Sequence, residues 1–272
     1  MAETQRGNQP RRIVAAVPAS GQLTPLLRLA ARMAERSRAD LAAVLVQSEV
    51  LETLAALPVT RHLVGPTGQA EKLTPRALEL ALTASASRLQ DALGAMLRGS
   101  ASRLTLHTLS SAAALDRALQ AREEDLLIAD AEASAAAVGP WQAGERERAV
   151  AALAIAGRSE RRQDIVVLCA DGDSARRALV AARLLAAAQD GICRIVLPLG
   201  QRAALADIVA AELGAAELGA ARIAWEAVAA GSAALPASVA LARDIGAGFL
   251  VLPAAVLRQD ALAPLLARRS GA

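Results

Sequence analysis

A chain of 272 residues is long enough for two domains, each able to bury its own core, and with 54% hydrophobic and 21% charged residues it is not a disordered or fibrous chain. A net charge of +3, carried almost wholly by Arg with Lys72 as the sole Lys, is too small to imply a nucleic-acid partner, and Phe249, Trp141 and Trp225 are too few to build a stacking platform. No run of 18 apolar residues lacks a charge and the start MAETQRGNQPRR has no apolar core, which predicts a cytoplasmic protein without signal peptide or membrane insertion.

Residues 1–10 read as a flexible tail. RIVAAV (12–17) has the length and composition of a buried strand, PASGQ a turn, and Leu26, Leu29, Ala30 and Met33 recur at helical spacing behind the helix start Thr24–Pro25. ADLAAVLVQ (39–47) is a second strand, apolar on both faces as in a covered parallel sheet. The stretch 48–73 is punctuated by Pro and Gly and reads as an insertion: a lid or partner surface, or a short helix EVLETLAAL packed over the sheet. Thr74 and Pro75 open a long helix to about Arg98, with Leu78, Leu82, Leu89, Leu93 and Met96 along one side. A third strand (102–109), a short helix (111–124), a fourth strand DLLIAD (125–130) and a fifth, AVAALAIAG (149–157), complete the first half.

The order repeats from Asp164, with strands DIVVLCA (164–170), CRIVLPL (193–199), ARIAWEAV (221–228) and GFLVLPA (248–254), and helices over 174–189, 202–218 and 235–245. Setting Ile13 against Ile165 aligns some thirty residues without a gap: Val14 meets Val166, Leu27 meets Leu179 and Leu45 meets Leu197. No fifth strand follows the second half's fourth, which leaves a sheet edge in need of cover, so the halves 11–160 and 161–272 are expected to pack as one unit. Cys169 and Cys193 lie in apolar strands and read as small buried hydrophobes, neither disulfide nor metal ligands.

Strands alternating with helices predict an α/β fold, two tandem doubly wound, Rossmann-like domains with mainly parallel sheets. This order, with a first strand ending in ADGDSARRAL and a fourth written EEDLLIAD, resembles the universal stress protein family, in two diverged copies covering Arg11 to about Pro253. The resemblance implies an Asp at the end of the first strand and, in nucleotide-binding members, a loop Gly-x2-Gly-x9-Gly-Ser/Thr after the fourth, whose amides hold phosphates. Asp171 matches the Asp in the second half, whereas Ala19 stands there in the first. After the first half's fourth strand the glycines are Gly139, Gly144 and Gly157, at the wrong spacing, and after the second's none occurs before Gly271, so ATP binding is not carried over.

The candidate binding residues are therefore Asp171, Gly172, Asp173 and Ser174, able to meet a ribose or an anion at a helix start, against the plainer reading of a turn and an Asp or Ser helix cap. His62 and His107 have no partners at metal or triad spacing, and no catalytic residue or metal site is expected. Trp141 is assigned to packing within its own domain, and the pairs Arg11–Arg12, Arg161–Arg162 and Arg268–Arg269 to solvated charge. The expectation is a non-enzymatic stress-response regulator or interaction protein, an intramolecular pseudo-dimer able to form a homodimer, with a protein partner and no cofactor. The alternatives are an adenine-nucleotide sensor or weak ATPase working through the second half, and a soluble regulator of a transporter or kinase.

Overall fold

Strands apolar on both faces need cover on both sides, and here they share one sheet. The computed structural model describes residues 10–19, 24–46, 49–64, 69–109, 125–130, 150–154, 164–169, 172–189, 193–198, 207–208, 211, 223–228 and 234–253. Among these, in chain order, are β1 (Arg12–Pro18), α1 (Pro25–Ser37), β2 (Asp40–Val46), α2 (Glu49–Ala56), β3 (Arg61–Val64), β4 (Gln69–Lys72), α3 (Pro75–Met96), β5 (Leu104–Leu109) and β6 (Asp125–Asp130). They are followed by β7 (Val150–Ala154), β8 (Ile165–Leu168), α4 (Gly172–Gln189), β9 (Cys193–Pro198), β10 (Ile223–Val228), α5 (Ala234–Asp244) and β11 (Phe249–Pro253). The helix expected over 111–124 lies outside the described residues, and of that over 202–218 only Asp207, Ile208 and Ala211 are described, all helical.

Nine strands form a sheet in the order β10-β9-β8-β11-β7-β6-β1-β2-β5. Every neighbouring pair is parallel except β7 and β11, which run antiparallel with Phe249 opposite Ala154 and Pro253 opposite Val150. The fold is thus α/β with a mainly parallel sheet. The edge that the sequence leaves bare on β11 is occupied by β7, which also pairs in parallel with β6. In the 48–73 stretch the Pro and Gly residues separate short elements: the helix α2 and an antiparallel ribbon of β3 and β4. The short helix that was one of the two readings of this stretch is present, and it leans chiefly on α3.

One face of the sheet carries α1, α3 and α4. Thr24 caps α1 by accepting from the Leu27 amide at 3.3 Å, Pro25 occupies the first turn, and Leu27, Ala30, Met33 and Ala34 turn inward. α3 starts in the same way, the Thr74 hydroxyl accepting from the Ala77 amide at 3.1 Å. These side chains, Leu89 and Leu93 of α3, Leu179, Ala182 and Leu185 of α4 and the inward residues of the strands form one apolar core spanning both halves of the chain. α1 and α4 touch directly across it, and the Arg36 guanidinium donates to the Ala187 carbonyl, one of the last-turn acceptors that α4 leaves without an intrahelical partner. On the opposite face Leu235, Val239 and Ala242 of α5 are buried, and Gly246 at φ 65 ends that helix with its amide donating to the Arg243 carbonyl. No described helix is long and apolar enough to cross a membrane.

Cys169 and Cys193 are both free and buried in this core, as their apolar surroundings in the sequence suggest. Burial pushes the Cys193 thiol up to about 12. A thiol titration with dithiobisnitrobenzoate is expected to find neither cysteine reactive in the native protein and both reactive in guanidinium. The raised thiol value also has a sign for stability: the contribution of the neutral Cys193 is intact below its ordinary value near 9 and is lost as pH rises toward about 12, because the unfolded chain releases that proton first.

Candidate functional site

In open α/β sheets ligands sit beyond the carboxyl ends of the strands where the strand order reverses, here between β1 and β6 and between β8 and β11. At the first position β1 ends in Pro18, and the Ala19 amide donates to the Val46 carbonyl at 3.0 Å, latching the chain to the end of β2. The residue after β1 is Ala19, so the end of this strand supplies no carboxylate, while β6 ends beside it in Asp130. At the second, the Cys169 amide donates to the Val196 carbonyl at 3.1 Å and α4 begins at Gly172.

Asp171 lies outside the described residues. Gly172, Asp173 and Ser174 do come together, as the first turn of α4. Of the Asp or Ser cap expected here, the Ser alternative does not hold, because the helix starts two residues before Ser174: Ser174 is inside the first turn, buried and engaged by its surroundings. Gly172 has no left-handed φ, and a Cβ there would sit 3.5 Å from Ile208 Cδ1, an ordinary contact. Neither backbone conformation nor space therefore demands glycine at 172, unlike a loop in which glycine admits a phosphate against the chain.

A second concavity lies at the carboxyl end of β5, where α2 meets the first turns of α3. Glu52, Ala55, Leu78, Glu79, Leu82 and Thr108 are among the residues lining a groove of about 490 Å³ open to solvent. Its position follows from lengths: α3, with 22 residues, is about 33 Å long, and β5, with six, about 20 Å, so the amino-terminal turns of α3 overhang the sheet. Accordingly Leu89 and Leu93 in its second half are buried, whereas Leu78 and Leu82 are half-buried and Leu80 is exposed.

No protein-family model matches the chain, and no curated protein does. Among solved structures, a functionally unknown protein of Pseudomonas aeruginosa PAO1 is similar at 13% identity and a TM-score of 0.45, covering 95% of each chain. A universal stress protein of Archaeoglobus fulgidus DSM 4304 is similar at 9% identity and a TM-score of 0.45, covering 97% of this chain and 94% of that one. Likenesses at this level add nothing to the α/β architecture that the strand order gives directly.

The remaining polar groups lie elsewhere. Arg12 and Asp125, register partners at the amino ends of β1 and β6, form a two-pronged pair, with Nε to Oδ1 at 3.0 Å and the second prong from Nη2 to Oδ2. Arg194 Nε meets Asp164 Oδ2 at 2.8 Å at the amino ends of β9 and β8. Both pairs are at the opposite end of the strands from the ligand positions. His107 stands on the edge strand β5 opposite Val44, where burial and, secondarily, the positive charge of Arg12 hold its imidazole below the ordinary value. His62 is on β3, opposite Glu71, in the separate ribbon. Among the described residues no cluster of three or more His, Cys, Asp or Glu could hold a metal ion. Trp141 lies outside the described residues. Glu52 and Glu79 were missed in the sequence reading; the available signal was an acidic residue set among leucines on two consecutive helices, Leu51-Glu52 and Leu78-Glu79-Leu80.

Proposed function

We propose that this is a non-enzymatic, cytoplasmic regulatory or interaction protein of the stress response, built from two degenerate universal-stress-protein-like halves that face each other as a pseudo-dimer within one chain. The observation that carries the reading is the repetition of strand order. Numbered within each half, β5-β2-β1-β6 and β10-β9-β8-β11 are both 3-2-1-4, all parallel. The sequence retains this scaffold while having lost the glycine spacing that would let backbone amides close around phosphates, with Gly139, Gly144 and Gly157 in one half and none from Pro253 to Ser270 in the other. What persists is surface and shape, which suits binding to a partner better than turnover.

Calorimetric titration with ATP and magnesium tests it. The expected result is no saturable heat at ATP concentrations up to about 1 mM, a binding free energy weaker than about 4 kcal/mol. A dissociation constant in the low micromolar range would overturn the reading and return the chain to the nucleotide-sensor class. In that event Asp171→Ala should weaken the nucleotide by about 1.5 to 3 kcal/mol, the scale of a hydrogen bond to a charged group, and Ala19→Ser should leave it unchanged.

A further inference from the structure

α2 and the β3–β4 ribbon that follows it are poorly accounted for within one chain. Leu51 and Leu54 stand three residues apart on α2, and the Leu57 amide donates to the Leu54 carbonyl at 3.1 Å, so the same step of three carries the row past the end of the helix. These three are between 37% and 45% exposed, and Val59 in the turn beyond them is 83% exposed. Monomers rarely leave apolar side chains gathered at the surface without a use for them. The ribbon has the complementary defect. Its strands pair with each other and pack hardly at all on other described elements, although a two-stranded ribbon alone is marginal in water. At its base, where the Leu73 amide donates to the Thr60 carbonyl at 2.9 Å, Arg61 and Lys72 are register partners and both are exposed. Like charges directly opposite each other destabilise a ribbon unless an anion answers them, and among the described residues neither cation has an ion pair.

We infer that α2 and the ribbon pair with the same two elements of a second copy of this chain, α2 of each copy lying along the ribbon of the other. A two-fold contact requires a patch that is its own complement. The helix side offers the leucine row and, in the groove beside it, Glu52 and Glu79, which likewise have no ion pair among the described residues; the ribbon side offers Arg61 and Lys72. The lengths agree, since a helix of eight residues is about 12 Å long and a strand of four about 13 Å. A two-fold axis near Leu57, where the helix hands over to the ribbon, therefore sets helix against ribbon twice and brings the cations of each copy to the carboxylates of the other. Charge argues against other occupants: from Glu49 to Leu80 four carboxylates stand against three cations, too nearly neutral to select a nucleic acid, an anionic membrane or a strongly charged segment. The contact involves none of the strand ends where ligands sit, so an ATP titration that contradicts the proposed function leaves it standing.

Sedimentation velocity of the full chain from about 1 to 100 µM, a range that spans weak to moderate association, tests the pairing. A reversible monomer–dimer equilibrium is expected, and Leu54→Ser, at an exposed position, should weaken it by about tenfold or more. A charge swap reads the contact itself. Arg61→Glu with Lys72→Glu sets acid against acid across the axis and should leave the chain monomeric, as should Glu52→Lys with Glu79→Lys, which sets base against base. Mixed together, the two variants should form a heterodimer, because each ribbon then meets a helix of opposite charge. Monomers at every concentration, a dimer unmoved by Leu54→Ser or by the charge reversals, or two monomeric variants that fail to associate when mixed would overturn the inference. So would co-sedimentation of a monomeric wild type with phosphatidylglycerol vesicles, lost in Leu54→Ser, which would make the occupant a membrane.

Discussion

Cutting the chain between Ala154 and Asp164 is expected to yield two fragments that are insoluble or non-cooperative when alone and that regain a cooperative transition when co-expressed. The reason is the position of β11. It is buried along its whole length, it pairs with β8 on one edge and β7 on the other, and β7 belongs to the other fragment. Without β7 the 164–272 fragment presents an unpaired edge whose side chains are Phe249, Leu250, Val251 and Leu252, an aggregation template. The 1–154 fragment loses the cover that α4 gives to α1 and β7. Each fully buried apolar side chain is worth about 1.5 to 3 kcal/mol, so exposing even part of this seam removes an amount comparable with the about 5 to 15 kcal/mol by which domains are stable. In the intact chain the same seam is probed by Val251→Asp, which puts a carboxylate at a position with 0% exposure. A loss of more than about 4 kcal/mol by urea denaturation is expected, the range reserved for buried unpaired charge. Two soluble, monomeric fragments that each unfold cooperatively would show that the seam is dispensable.

The sheet strands were readable in the sequence because burial on both faces leaves a plain apolar run: DLLIAD, RIVAAV and GFLVLPA are strands to within a residue or two. Thr24–Pro25 and Thr74–Pro75 were readable as helix starts because the hydroxyl and the fixed proline φ act locally. That the second half ends with a bare edge followed from counting strands, but which strand covers it did not. β7 is five residues of Val, Ala and Leu, and nothing in that composition says that one of its edges will meet β11 antiparallel. α2 and the β3–β4 ribbon were obscured by the Pro and Gly residues that separate them, since elements of eight and four residues show barely one period of any pattern. The groove was invisible for a different reason: it is produced by the overhang of α3 beyond β5, a difference between two lengths in space. At the α4 start, Gly172 was read as part of a ligand turn or of a plain turn before a helix cap, and the structure makes it the first residue of the helix.

Asp125→Ala is expected to be the most damaging single change among the polar residues described here, at about 2 to 3 kcal/mol. Breaking a fully buried pair costs about 3 to 5 kcal/mol because one charge is stranded. The Asp125 side chain has 0% exposure, but that of Arg12 has 22%, so water takes up part of the loss and the lower figure applies. The pair also fixes register, since Arg12 and Asp125 are directly opposite at the first residues of β1 and β6, the two strands between which the sheet order reverses. On the alignment that sets Ile13 against Ile165, Arg12 corresponds to Asp164, so the second half begins its first strand with the opposite charge and answers it from the other side, with Arg194 on β9. That pair is more exposed, 26% and 19%, and Asp164→Ala should cost less than about 1 kcal/mol. Replacing both members of the buried pair, Arg12→Met with Asp125→Leu, should recover most of the loss, because no charge is left behind. Urea denaturation of the two single variants and the double distinguishes the cases: a double variant as unstable as the sum of the singles would mean that Arg12 and Asp125 act independently and that the register of β1 on β6 is held by the apolar contacts alone.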